Sequence, residues 1–435
     1  MKCAGIVFGL LLAIVLPEWT HGNIGYVGEI ATRARIATLL DTTHNQLMTE
    51  SFHIVRGAHT NPQFVFSNFY NGFGGGQIGP GASATITASV EYPPGTCTQI
   101  KWSGSSTLTV ANAAIAAPSD PVSLSLPDGA IIGVRQFYQT ASSGIIYLGA
   151  VNGTVTPPPL GDVSRVAVSG LSDQTVSCDT ITSNTTSYFL TPVAIIAQTT
   201  KPAVCIVGDS IAYANNDGLG NASGDIEVIA RSVGPSFGYI HIDSAGTTAL
   251  EFTQNNIVTP LLNYCSAMIV EFGINDFALN GVTTAQLESY LTTIYGYAPA
   301  GMQVFQTTLT PYTTSSDSWA TTANQSTEAW ESKRVTFNDA LRAATFGPVS
   351  GYFDQAAAAE TSTDSGLWKA GVSFPQCGSP NYWTTDGVHF GTCSATQGAA
   401  QGVIDTSRIH YPYLLNRDLA PSSNDNGPVG LAAVG

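Results

Sequence analysis

Ala203-Val204-Cys205-Ile206-Val207-Gly208-Asp209-Ser210 is an apolar run that stops abruptly at a glycine, a carboxylate and a hydroxyl. A run this short, without alternation, reads as a strand buried on both faces. Residues 239–243, 267–272, 304–308 and 351–354 are further strand candidates, and helical stretches fall between them. Residues 283–297 open with Thr283-x-x-Gln286, a capping-box pattern, and residues 328–344 place Trp330, Phe337 and Leu341 at helical spacing. Strands alternating with helices predict an α/β fold with a parallel sheet covered on both faces. Ligand sites in such sheets lie beyond the carboxyl ends of the strands, so chemistry is expected just after Val207, Asp243 and Phe272.

Upstream, residues 23–200 have a different character and read as an all-β domain, a sandwich or jelly roll. In residues 83–92, Ala84, Ile86, Ala88, Val90 and Tyr92 alternate with Thr85, Thr87, Ser89 and Glu91, which gives one buried and one wet face. Val122, Leu124 and Leu126 repeat the pattern, Pro127-Asp128-Gly129 forms a turn, and residues 130–138, 145–148 and 166–168 are further strands. The boundary between the two domains is expected at Gln198-Thr199-Thr200-Lys201-Pro202, with Pro157-Pro158-Pro159 as a loop. The second domain then spans residues 201–412, and residues 413–435, rich in Ser, Asn, Pro and Gly, form a loose tail.

Met1-Lys2 followed by an apolar stretch at 4–16 reads as an export signal, with small residues before a cleavage point after Gly22. The stretch is shorter than the roughly 20 residues a spanning helix needs. The mature chain is therefore expected to be secreted or periplasmic, without stable membrane insertion. Only 10% of the 435 residues are charged, the net charge is −15, and no Lys/Arg cluster exists. That balance argues against nucleic acid and against anionic membrane surfaces as partners. Of seven cysteines, Cys3 leaves with the signal and six remain for disulfides, whose pairing stays open. Cys377 and Cys393 flank a Gly- and Ser-rich stretch, so a local bridge is expected there. Two thiols, or pairing with Cys205 or Cys265, are the alternatives.

Three short patterns fall where an active site should lie. Gly208-Asp209-Ser210 places a hydroxyl where a strand is expected to turn into a helix, whose first N–H groups could face a developing oxyanion. Gly273-Ile274-Asn275-Asp276 follows another strand, and an Asn amide there can donate to the same oxyanion. Asp386-Gly387-Val388-His389 offers a base with a carboxylate within one turn of it, as a serine nucleophile requires. Each pattern alone also fits an ordinary capped turn. Asp41-Thr42-Thr43-His44 repeats the D-x-x-H spacing far upstream and is expected to be a decoy. His241 falls within a strand and is expected to be structural, while His410 belongs to no motif. Asp209 and Asp276 with His389 could suggest a metal, but no tight His cluster accompanies them, and no metal is expected. Tyr382 and Trp383 precede Asp386 and could stack on sugars or pack in the core.

In this order, GDS, G-x-N-D and D-x-x-H resemble blocks I, III and V of the SGNH/GDSL hydrolases over about residues 203–400. The resemblance implies a flavodoxin-like α/β/α domain, with Ser210 as nucleophile, His389 as general base and Asp386 orienting it. It also implies an oxyanion hole made of the Ser210 N–H, the Asn275 side chain and a block II glycine, and no cofactor. Asp243-Ser244-Ala245-Gly246 makes Gly246 the natural block II residue, although the second glycine often found there is missing. Ile211 replaces the Leu of the GDSL name. The expected activity is that of a secreted serine esterase, with O-deacetylation of a carbohydrate as the first choice. A lipase or small-ester esterase is the alternative within the enzymes. A non-catalytic carbohydrate-binding surface protein is the alternative outside them.

Overall fold

The computed structural model describes residues 25–74, 76–148, 160–217, 220–371 and 382–410. The expected signal at 1–22, Pro157-Pro158-Pro159, Cys377 and the tail at 413–435 lie outside the described residues.

A six-stranded sheet organises the second half of the chain. Its order is Ala34–Arg35, Gly238–Asp243, Ala203–Gly208, Ala267–Glu271, Gln303–Thr307 and Gly351–Phe353, every neighbour parallel. Every residue of Ala203–Gly208, Gly238–Asp243 and Ala267–Glu271 is buried, which explains why these strands read as continuous apolar runs. Burying each large apolar side chain contributes on the order of 1.5–3 kcal/mol. Counted from Ala203–Gly208, the strands follow the doubly wound order 2-1-3-4-5. The switch point lies where Ala203–Gly208 and Ala267–Glu271 run side by side, and ligands bind at their carboxyl ends in this topology. Helix Thr284–Tyr295 starts at the capping box formed by Thr283 and Gln286, and Glu331–Arg342 buries Phe337 and Leu341. A Cys205–Cys265 disulfide joins the first strand of the sheet to the residues leading into the third, which excludes both cysteines as partners of Cys393. Cys393 is itself disulfide-bonded, and its expected partner Cys377 falls among the residues not described.

Between Tyr26 and Thr199 every helix or strand among the described residues is a strand. The largest sheet there is antiparallel, in the order Cys97–Gln99, Ala84–Glu91, Ile131–Thr140, Gln46–Ile54 and Val163–Ala167. Ala84, Ile86, Ala88 and Val90 face one core with Phe64 and Ile195 from a second, three-stranded sheet. Ser89 is also buried because its hydroxyl donates to the Thr175 carbonyl. Of residues 122–126, only Ser125–Leu126 pairs, with His59–Thr60. A Cys97–Cys178 disulfide closes this region.

Of the contacts that cross the boundary expected at 198–202, two bear on the site. Ala34–Arg35 joins the edge of the parallel sheet beside Gly238–Asp243, where Arg35 pairs with buried Asp243 at 2.8 Å. The hairpin Tyr70–Gly72/Gly76–Ile78 sits against the loop after Gly238–Asp243, with the Ser244 hydroxyl donating to the Asn71 carbonyl at 2.6 Å. A two-residue strand carries no periodicity, so neither contact could be read from pattern alone.

Candidate active site

Beyond Gly208 the chain turns under the control of two carboxyl groups. The Asp209 N–H donates to the Glu271 carbonyl at 3.2 Å. The Ile211 N–H then donates to Asp209 Oδ1 at 2.9 Å, and the Ala212 N–H to Glu271 Oε2 at 3.2 Å. The following residues form turns, with Tyr213 N–H on the Asp209 carbonyl and Asn215 N–H on that of Ser210, and not the helix expected from the sequence. The side-chain carboxyls satisfy the N–H groups that a helix start would leave open. The Ser210 N–H, by contrast, makes no hydrogen bond among the described residues.

Ser210, His389 and Asp386 are brought into one hydrogen-bonded chain. Ser210 Oγ lies 2.7 Å from His389 Nε2, and His389 Nδ1 lies 2.6 Å from Asp386 Oδ2. Asp386 Oδ1 accepts the N–H groups of Val388 and His389, each at 2.9 Å, and the Asn216 amide donates to Oδ2 at 2.7 Å. Partial burial works against the Asp386 charge, but the hydrogen bond from the His389 ring, its positive character and the backbone N–H groups outweigh it. The carboxyl is held far below the usual carboxylate range. An ionised Asp386 accepts the hydrogen bond of Nδ1–H, which leaves Nε2 as the acceptor facing the Ser210 hydroxyl.

The turn carrying Asp386 and His389 is anchored from below. Gly387 has φ +80°, and a Cβ there would run into the Thr313 carbonyl and the Trp319 ring, so only glycine fits. Its carbonyl accepts the Thr313 N–H at 2.9 Å and the indole N–H of fully buried Trp368 at 2.8 Å. Thr384 Oγ accepts the Gly387 N–H at 2.9 Å.

The opposite wall comes from two other strand ends. Gly273 precedes helix Ile274–Asn280, which puts Asn275 in its first turn. The Asn275 amide donates one hydrogen to the Thr247 carbonyl at 3.1 Å, and its NH2 group carries a second. Ser244 N–H bonds the Gly208 carbonyl at 3.2 Å, tying the 244–247 turn to the end of the nucleophile strand. Gly246 has φ +74° in that turn, and its N–H makes no hydrogen bond among the described residues. Asp276 instead caps helix Ala249–Thr253, accepting from Ala249 and Leu250 N–H at 2.9 and 3.3 Å, and burial pushes its carboxyl up to about 6.

Asp209 and Glu271 form a buried acidic pair beneath Ser210. Asp209 Oδ2 and Glu271 Oε1 are both buried without another partner. Burial pushes the Asp209 carboxyl up to about 7, against the Ile211 N–H that favours its charge. Burial and the neighbouring Asp209 charge raise Glu271 well above its ordinary range. Both shifts favour the protonated form, and the two otherwise unpartnered oxygens can share one proton.

Trp383 is only 2% exposed, and its ring packs against Phe390 with the Lys369 ammonium 4.9 Å from its centre. The ring therefore belongs to the core and offers no open face, which corrects the sugar-stacking expectation for Trp383. Tyr382 beside it is half-buried. His44 pairs with Asp41 and packs on Tyr188, and no hydrogen bond joins it to Ser210. His241 is buried against Asp243. His410 meets Gln303 through its backbone N–H. Sequence reasoning missed Asn216, Glu271 and Thr384, and it read Trp368 as a loop aromatic that could stack on sugars or pack in the core, whereas the ring is fully buried on the Gly387 carbonyl. Asn216 and Trp368 lie far from Asp386 and Gly387 along the chain, and only the fold brings them there; Glu271 carried a signal only as the last residue of its strand.

No protein-family model matches the sequence, and no curated protein matches it. Among solved structures, the chain is similar to a GDSL-like lipase from Bacteroides thetaiotaomicron, at 15% identity and TM-score 0.32 over 48% of this chain and 87% of that one. It is similar to a carbohydrate acetylesterase family member from Sinorhizobium meliloti, at 14% identity and TM-score 0.33 over 48% of this chain and 99% of that one. A salicylyl acyltransferase from a tetracycline biosynthetic pathway is similar over 84% of each chain, at 12% identity and TM-score 0.31.

Proposed function

We propose that the protein is an exported serine esterase that removes O-acetyl groups from a carbohydrate. The observation that carries the reading is the Ser210–His389–Asp386 chain, with links of 2.7 and 2.6 Å, at the carboxyl end of the central strand. In the first step Ser210 Oγ attacks the ester carbonyl carbon while His389 Nε2 takes its proton. The Ser210 N–H, the Gly246 N–H and the Asn275 amide face the negative charge that develops on the carbonyl oxygen. The tetrahedral intermediate collapses as the bond to the alcohol oxygen breaks, and His389 passes its proton to that oxygen. Water then attacks the acyl-Ser210 ester, gives its proton to His389, and the acid leaves as Ser210 recovers its proton. Asp386 stays ionised throughout and stabilises the imidazolium. Residues 23–200 are read as a β-sandwich accessory domain. The export signal read at the N-terminus fits the Cys97–Cys178 and Cys205–Cys265 disulfides.

A fluorophosphonate probe tests the reading directly. It should label the purified protein at Ser210 and fail to label Ser210→Ala. A panel of acetylated sugars and p-nitrophenyl esters of rising chain length then separates carbohydrate deacetylation from lipase activity. An unlabelled wild-type protein, inert toward the whole panel, would mean a non-catalytic protein.

A further inference from the structure

The N-terminal β region sends one structure to the rim of the active site. The hairpin Tyr70–Gly72/Gly76–Ile78 is fixed at its base by several polar contacts. Asn71 N–H bonds the Ala37 carbonyl at 2.8 Å, and the Asn71 carbonyl accepts the Ser244 hydroxyl at 2.6 Å. On its other arm Gln77 Oε1 accepts the Val258 N–H at 3.0 Å. These bonds hold Phe73 and Gly74 against the 244–247 turn. A Cβ built on Gly246 would lie 3.7 Å from Phe73 Cδ1 and 3.7 Å from the Gly74 nitrogen. Gly246 is the residue whose N–H faces the oxyanion in the reading above, so the Phe73 ring lies beside one wall of the proposed oxyanion site.

Phe73 is nevertheless 60% exposed. Among the described residues it is the only aromatic side chain among the exposed large hydrophobics. A phenyl ring held in water forgoes burial that would stabilise the fold. The hairpin is anchored by polar bonds, so the ring is free to take part in another contact. An open ring face beside an anchored strand suits a flat, partly apolar partner, and the C–H face of a pyranose ring is one. An enclosed slot would suit a long acyl chain better.

We propose that Phe73 is a platform for the sugar ring of the substrate, supplied to the catalytic cleft by the N-terminal β region. The proposal rests on the esterase reading and narrows it: the β region selects the alcohol side of the ester. Phe73 binds substrate and takes no part in proton transfer, so its loss should act on KM.

The test compares wild type, Phe73→Ala and Phe73→Trp on xylose tetraacetate, glucose pentaacetate and ethyl acetate, which has no ring. Phe73→Ala should raise KM for the sugar acetates at least fivefold with kcat nearly unchanged, leave ethyl acetate hydrolysis as it was, and be rescued by Phe73→Trp. Because the side chain is exposed, neither variant should alter the thermal midpoint. Unchanged KM for the sugar acetates in Phe73→Ala overturns the proposal, as does an equal loss on ethyl acetate. A loss confined to long-chain p-nitrophenyl esters overturns it in favour of an acyl-chain contact. Wild-type protein inert to every ester and to the fluorophosphonate would sink the esterase reading itself, an outcome distinct from all of these.

Discussion

Trp368 donates its indole N–H to the carbonyl of Gly387 at 2.8 Å, from a position with no exposed surface. The turn that presents Asp386 and His389 is therefore rooted in the hydrophobic core. Trp368 also packs edge-on to Phe390, the residue after His389. Both contacts orient the imidazole without touching it.

Gly387→Ala should be among the most damaging single-methyl changes in the chain. The added Cβ meets the Thr313 carbonyl and the Trp319 ring, and φ +80° is strained for alanine. The turn must shift, and misplacing catalytic groups by about 1 Å can cost on the order of 100-fold in rate. Trp368→Phe keeps most of the packing and removes one donor, so a smaller fall of about tenfold in kcat is expected, with KM little changed. Steady-state kinetics beside circular dichroism would check both. Full activity in Gly387→Ala would show that the turn does not position His389.

Ser210→Ala and His389→Ala should each reduce ester hydrolysis by several orders of magnitude while the fold persists. His44→Ala should be nearly silent, because His44 bonds Asp41 in the β-rich region. Equal loss in His44→Ala and His389→Ala, in folded protein, would contradict the assignment of the base.

Asn275→Ala should lower kcat by about 10²- to 10³-fold, the usual effect of removing one oxyanion donor. The lost bond to the Thr247 carbonyl should add only a modest stability cost. A rise in KM alone would make Asn275 a binding residue.

The Asp209–Glu271 pair gives stability a pH dependence of definite sign. Burial raises the Asp209 carboxyl to about 7, and burial together with the Asp209 charge raises Glu271. In the unfolded chain these groups titrate near pH 4. The folded state therefore binds more protons across the interval between, and the pair's contribution is full below about pH 4 and declines as pH rises through about 7. Glu271→Gln supplies a permanent N–H to Asp209 in place of the shared proton. Thermal midpoints at pH 5 and pH 8 should differ less in this variant than in wild type. An unchanged difference would mean that the pair does not share a proton.

The apolar runs ending at Gly208, Asp243 and Glu271 were legible because a strand buried on both faces leaves a continuous hydrophobic signature. The capping box at Thr283 and Gln286 and the alternation in Ala84–Glu91 were legible for the same reason, since period and capping act within a few residues. Ser210, Asn275, Asp386 and His389 were singled out from short motifs at strand ends and turns, where backbone geometry is local. The helix expected after Ser210 is replaced by turns, in which the Asp209 and Glu271 carboxyls accept the Ile211 and Ala212 N–H groups. What only the tertiary structure decided are the contacts between distant stretches of chain: Asn216 on Asp386, Trp368 beneath Gly387, Glu271 beside Asp209 and Phe73 against Gly246. None of these has a period or a spacing. Each depends on which strand lies beside which in the folded sheet, and on side chains whose partners are chosen by burial.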